Sequence, residues 1–342
     1  MPVCVGPSAS AVFVAPTLTL GASTNYNQNS GVLNGTVTAT GNKPITSVEF
    51  QWSTSSTFAS GNSTWTAAST NTLIPQGTSS TARAANASSL SNDTTYYMRF
   101  RATNANGFVT TSSISSSTSN GNFKTYKLNT STFTGSSTWT NPVPTSGTSG
   151  LAITEILNLE CRAGGGGGGE GIGSGGGAGA RTTASSATIS GNITVTIGGG
   201  GGGNSAGGST SIGSYLSASG GNGGGETIGE SSPSGGSSGN GNAGGSGYYN
   251  SGGDFFDIGT GGGGGTNGTG GNGSYRTYGS GGAGWTSGYG VGGNGQDFYN
   301  IPPISSGAAQ TGNGGSGDRN FFSPFTPGNG GSGYAQFQYY GP

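Results

Sequence analysis

The chain of 342 residues contains 78 glycines and no histidine, with 6% charged residues and a formal net charge of −1. Ten Lys and Arg over this length exclude a basic nucleic-acid binder, which needs clustered cations against phosphate. No apolar run approaches the ~20 residues of a membrane-spanning helix, and the six consecutive residues Gly164 to Gly169 break the three-residue period of collagen.

Glycine and charge divide the chain in the same place. Residues 1–150 hold 12 of the glycines and residues 151–342 the other 66. Residues 1–163 carry seven basic and four acidic groups, whereas 164–342 carry three basic (Arg181, Arg276, Arg319) and seven acidic. Two unlike domains are expected. Residues 1–14 read as an N-terminal attachment segment, 15–122 as a β-sandwich, 123–163 as connecting strands that open the second domain, and 164–342 as the glycine-rich domain. Cys4 falls in the tail and Cys161 ends a strand-like run, so a disulfide between them is not expected. Two cysteines without histidine make no zinc site, and no cofactor is implied. The first twenty residues lack a basic start and a long apolar core, so no signal peptide is expected.

From 15 to 122 the pattern is all-β. Short runs such as Val32–Ala39, Ser47–Trp52 and Tyr96–Ala102 are separated by turn residues at Gly41-Asn42, Ser91-Asn92-Asp93 and Asn106-Gly107. Tyr96, Met98 and Phe100 alternate onto one face, and Trp52 reads as core packing. The spacing suits a seven-strand sandwich of about 100 residues. In the second half, Leu157, Leu159 and Cys161 alternate with Asn158, Glu160 and Arg162, as a half-buried strand does. Ile193-Thr-Val195-Thr-Ile197 leads directly into Gly198–Gly203, and Tyr334-Ala-Gln-Phe337-Gln-Tyr339-Tyr closes the chain as a last strand.

The run Leu90-x-x-x-Thr94-x-Tyr96-x-x-Arg99-x-x-Ala102-x-Asn104 resembles the penultimate-strand motif of fibronectin type III domains. Phe50-x-Trp52-Ser53-Thr54-Ser55-x-x-Phe58 is similar to that family's central strand and following loop. The resemblance implies that Tyr96 is a tyrosine corner whose hydroxyl ties an arch to the backbone. Ser91 stands where the family has Pro. From about 126 to the end, a Trp139-containing opening strand, strands feeding Gly-Gly runs and a short closing strand resemble the glycine-rich domain of bacteriophage tail-fibre and adhesin proteins. Related glycine-rich adhesin tips fold as packed polyglycine II helices and touch the host receptor with loops between the runs. The recurring units here are Gly-Gly-Asn-Gly (220–223, 270–273, 292–295) and Gly-Asn-Gly-Gly (312–315, 328–331).

Order in such a domain needs a physical reason, because each ordered glycine costs on the order of 1–2 kcal/mol of backbone entropy and buries no side chain. Packed extended glycine helices offset that cost by letting backbones approach closely enough to hydrogen-bond, an approach that a Cβ prevents.

Aromatic-polar islands interrupt the glycine: Tyr248-Tyr249, Phe255-Phe256, Tyr275 and Tyr278, Trp285, Phe298-Tyr299, and Phe321-Phe322. With Asn and Ser around them they have a paratope-like composition, suited to sugar rings and loop surfaces. As single residues they also read as core filling. Catalysis has little to stand on, since only Glu226 with Glu230 and Asp254 with Asp257 pair carboxylates here. The expectation is a non-enzymatic phage virion protein, a tail fibre or receptor-binding adhesin that contacts a host-surface glycan or outer-membrane protein. Its N-terminal part would join other virion proteins, and by analogy it would be a homotrimer. It would assemble in the host cytoplasm. The alternatives are a capsid decoration or head-fibre protein, a self-assembling coat or filament, and last a depolymerase using Asp254 or Asp257.

Overall fold

The computed structural model describes residues 14–113, 122–142, 151–171, 173–226, 233–248, 260–274, 277–284, 289–295, 305–309, 311–317 and 326–342. Among these the chain is all-β, with several antiparallel sheets and no helix assigned. It forms two compact units. The first comprises Met1–Asn129, Pro142–Ile153 and Tyr340–Pro342, and the second Thr130–Asn141 and Thr154–Tyr339. Residues 123–163 therefore contribute to both units.

In the first unit, β1 (Thr17–Leu20), β2 (Gly31–Ala39) and β5 (Ser79–Ala87) form one sheet in the order β1-β2-β5. The second sheet runs β4 (Thr66–Ala67), β3 (Ile45–Ser53), β6 (Thr95–Asn104), β7 (Val109–Thr111), with β8 (Phe123–Lys124) also paired to β6. Every second residue of β6 is buried (Tyr96, Met98, Phe100, Ala102), because alternate side chains of a strand share one face. Phe50 and Phe100 stand directly opposite in the β3–β6 register and stack with ring centroids 5.2 Å apart. Leu33, Val37 and Ala85 close the core from the other sheet, and Trp52 packs half-buried against it. Gly35 is required by that packing: a Cβ there would come within 2.7 Å of the Phe100 ring. The Tyr96 hydroxyl accepts the Ser91 backbone N–H at 2.8 Å, tying the turn before β6 to the strand.

One sheet, most of whose residues belong to the second unit, has the order β12 (Arg181–Thr188), β11 (Glu155–Arg162), β16 (Tyr334–Gly341), β9 (Lys127–Phe133). The other runs β10 (Ser137–Trp139), β13 (Ile193–Thr196), β14 (Thr210–Ile212), β15 (Leu216–Ala218). Ile156, Leu159, Cys161, Val195, Ile212 and Phe337 are buried, and Trp139 packs edge-on against Phe337 and Tyr339 at 5.4 and 5.1 Å. One expectation is corrected here. Leu157 does not share the inward face of Leu159 and Cys161; Ile156 does. Asn158 adopts φ 48°, and the β11–β16 register shifts between Leu157 and Glu160, a bulge that resets the alternation.

Between the strands lies an array of extended glycine segments joined through their backbones. In Gly164–Gly169 the N–H donors point three ways in turn, at 2.8–3.0 Å. Gly164 and Gly167 donate to Gly208 and Ser205, Gly165 and Gly168 to Gly331 and Gly328, and Gly166 and Gly169 to Gly177 and Ser174. The carbonyls follow the same three-residue period. Those of Gly164 and Gly167 accept from Gly221 and Gly224, those of Gly165 and Gly168 from Gly201 and Asn204, and that of Gly166 from Gly315. One segment thus bonds to six others. A Cβ on any of Gly164–Gly169 would lie well inside contact distance of a neighbour's carbonyl oxygen, so sequence and packing select each other.

The asparagines of the repeated units work at the edges of this array. The Oδ1 atoms of Asn272, Asn294 and Asn313 accept the backbone N–H groups of Ser246, Gly281 and Val291 at 2.8–3.0 Å. A side-chain amide there replaces a carbonyl that the array does not supply.

Candidate functional site

The glycine array has two ends. At the proximal end, β11, β13 and β15 run into it and β12, β14 and β16 run out. The hydrogen-bond registers fix which residues are level with one another at the distal end. Gly169 bonds to Ser174, Ser174 to Gly225 and Gly225 to Ser234. Gly261 bonds to Pro233, Gly273 to Ser246, Gly295 to Gly279, Gly317 to Asn294 and Ser316 to Ser305. These pairs form one distal rim.

Of the expected receptor-contacting residues, Tyr248 and Tyr278 are described, both half-buried and near the distal rim. Tyr249, Phe255, Phe256, Tyr275, Trp285, Phe298, Tyr299, Phe321 and Phe322 lie outside the described residues, as do Cys4, Glu230, Asp254 and Asp257. The residues flanking 249–259, 275–276, 296–304 and 318–325 all belong to the distal rim. Those flanking Trp285 do not: Gly290 bonds to Thr311 and Thr266, at the proximal end. The rim itself carries Glu170 and Glu226, linked through Asn204. Asn204 Oδ1 accepts the Glu170 N–H at 3.0 Å, and its Nδ2 donates to Glu226 Oε2 at 3.1 Å. Among the described residues no group of three or more Cys, Asp or Glu side chains is placed to hold a metal ion.

Two further clusters carry polar chemistry. On the sandwich, Arg99 lies over the Phe58 ring at 4.3 Å and the Trp65 ring at 5.3 Å, and Arg101 lies over Trp65 at 4.3 Å. Gln51 Oε1 accepts from Arg99 Nε and Nη2 at 2.9 and 2.6 Å, and Arg101 pairs with Glu49 at 2.8 Å. Neither Trp65 nor the arginine ladder is visible as a motif, because the residues come from two strands and a loop.

The second cluster lies in the second unit on the face of β11 away from the core. The bulge at Asn158 turns Glu160 and Arg162 onto that face. Glu160 Oε1 accepts from Arg162 Nε at 2.7 Å and Arg181 Nε at 2.9 Å, with Gln336 Nε2 3.5 Å from Oε2. The Arg162 guanidinium stands over the Tyr334 and Tyr289 rings at 4.8 and 5.0 Å. Burial alone raises the Glu160 carboxyl, but hydrogen bonds from Arg181 and Arg162 outweigh it and hold the group below its ordinary range. A cavity of about 360 Å³ opens here, walled by Asn158, Glu160, Arg181, Thr183, Ser185 and Gln336 among others. On the opposite face, burial pushes the Cys161 thiol up to about 12, which removes it from nucleophilic chemistry at neutral pH.

No family model matches this chain, and no curated protein matches it.

Proposed function

We propose that this chain is a structural protein of a bacteriophage particle, a tail-fibre or receptor-binding adhesin whose distal glycine-rich rim meets the host surface. The observation that carries the reading is the three-residue hydrogen-bond period of Gly164–Gly169, a segment whose backbone bonds among the described residues all go to neighbouring segments. That is the bonding expected of packed polyglycine II helices, extended chains of three residues per turn. Such an array is stiff, uncharged inside and tolerant of any sequence in the connections at its ends.

The composition of those connections supports recognition at one end. The islands at 248–249, 255–256, 275–278, 298–299 and 321–322 have their flanking residues on the distal rim. All seven acidic residues of 164–342 lie on that rim or in segments it flanks. With Arg276 and Arg319 the balance is 7 − 2, a formal −5. An acidic, aromatic rim suits stacking on neutral sugar rings or docking against basic protein loops, and repels polyanions. In the other unit, the sheet orders β1-β2-β5 and β4-β3-β6-β7 and the Tyr96–Ser91 bond support a fibronectin type III-like spacer. In this reading it holds the adhesin on the virion, in a homotrimer by analogy with other fibres.

The test is saturable binding of the labelled full chain to a panel of bacterial cells. Replacing Phe255 and Phe256 by Ser abolishes binding, while Trp285→Ser, whose flanks lie at the proximal end, leaves it intact. Binding to purified capsids and to no cell would replace the adhesin by a capsid decoration.

A further inference from the structure

From the groove beside Glu160 we infer a second ligand site, independent of the distal rim, that takes a carboxylate-bearing saccharide unit. Three observations converge on it. First, the fold departs from regular geometry to build it: the φ of 48° at Asn158 and the register shift turn two charged side chains onto one face. Bulges of this kind recur where a strand re-aims side chains at a site. Second, the groove is open to solvent along one side and offers about 360 Å³, a volume within the ~300–1,000 Å³ of small-molecule sites. Third, its wall chemistry is that of sugar recognition. The exposed Thr183 and Ser185 hydroxyls, with the donors and acceptors that Asn158 and Gln336 keep beyond their bonds to Gln338, Tyr334 and Glu160, stand side by side, as a ring of hydroxyls requires.

Charge selects the class of sugar. Among the described residues two guanidinium groups share one carboxylate here, Arg181 in the wall of the groove and Arg162 beside it. Arg162 is held by Glu160 and two tyrosine rings, and Arg181 by Glu160, so the cations are fixed in place before any ligand arrives. A preorganised cation favours a carboxylate over a neutral isostere. Arg181 is at the same time the most exposed member of the ion cluster, its side chain 32% accessible, so it is the one a ligand meets. The groove and the acidic rim thus favour opposite ligand charges.

The experiment is calorimetric titration of the full chain with galacturonic-acid oligomers. Galactose oligomers and inorganic phosphate serve as the neutral and simple-anion comparisons. Saturable uronate binding is expected, at least about tenfold tighter than the neutral oligomer, the factor that one charge-assisted hydrogen bond supplies. Thr183→Asp adds a carboxylate on the exposed wall without touching the core and weakens uronate binding by at least about tenfold. Gln336→Ala, which leaves the arginines in place, weakens it less. The site is overturned by absence of uronate binding, by equal binding of the neutral oligomer, or by full affinity in a folded Thr183→Asp variant. Phosphate binding as tight as the uronate would overturn the saccharide and leave a simple anion site. None of these outcomes bears on cell binding through the rim.

Discussion

The sandwich and the glycine array order the same chain by opposite means. In the sandwich, Phe50, Met98 and Phe100 fill the space between sheets, and the backbone follows the side chains. In the array, Gly164–Gly169 have no side chains to fill anything, and the backbone groups of neighbouring segments are the contact. The first region is weakened by taking atoms away, the second by adding one. Phe100→Ala opens a cavity in the sandwich and costs about 3–5 kcal/mol. Gly166→Ala adds a single methyl against the Asn222 carbonyl and costs about 3 kcal/mol or more, because segments on several sides must shift together. Hydrogen exchange resolved along the chain checks both. Each substitution is expected to raise exchange in its own unit, and protection of the array amides retained in Gly166→Ala would break the comparison.

That contrast also explains what the sequence made legible. β2, β3 and β6 were readable because Val, Phe, Met and Tyr alternate. β5 and β12 were not: Ser79–Ala87 and Arg181–Thr188 are runs of Ser, Thr, Ala and Asn with one Arg each, and nothing in them distinguishes strand from loop. β12 becomes a strand through its pairing along β11, a tertiary effect. The glycine runs could be read as backbone packing, but not which run bonds to which. That register is set by three-way contacts between segments far apart in sequence. The bulge at Asn158 was hidden by a perfect apparent alternation of Leu157, Leu159 and Cys161, so the groove beside Glu160 was hidden with it. The aromatic islands were visible as islands; that the described residues flanking all of them except Trp285 meet at one end required the array.

Gly35 sharpens the comparison, since it is a glycine in the side-chain region. There the obstacle to a Cβ is the Phe100 ring at 2.7 Å, which can tilt, whereas the obstacle at Gly166 is a bonded backbone. Gly35→Ala is therefore expected to cost about 1–3 kcal/mol, the ordinary range of overpacking. The companion Phe100→Leu in the Gly35→Ala background should recover part of it. Additive losses in that double variant, measured by denaturant titration, would mean that the ring is not the obstacle.

Below this comes the single hydrogen bond from Ser91 to Tyr96 Oη. Tyr96→Phe keeps the ring stacked near Phe123 and removes the acceptor, for about 1 kcal/mol. Because the bond fixes the turn rather than the core, exchange should rise at Ser91 and leave the Phe50–Phe100 layer unchanged. Loss of protection throughout the sandwich would make the bond part of the core instead.

The smallest effect expected is on pH dependence in the second unit, where two opposing influences meet on Glu160. Burial disfavours its charge and the Arg181 and Arg162 bonds favour it more, so the folded carboxyl stays below the unfolded value by the difference of the two. In the acid range the unfolded chain binds the extra proton, so stability rises with pH there. The contribution is complete above the unfolded carboxylate range, near pH 4.3, and is lost as pH falls through the lowered folded value. Glu160→Gln removes this group's part of the slope while keeping a side chain that can accept one guanidinium bond. The difference in unfolding midpoint between the parent and the variant should be constant near neutral pH and shrink only below about pH 4.3. A difference that does not change with pH would mean that the carboxylate acts by shape alone. The two guanidiniums would then not be held by the charge of Glu160, and the preorganisation of the groove would lose its physical basis, although the cavity would remain.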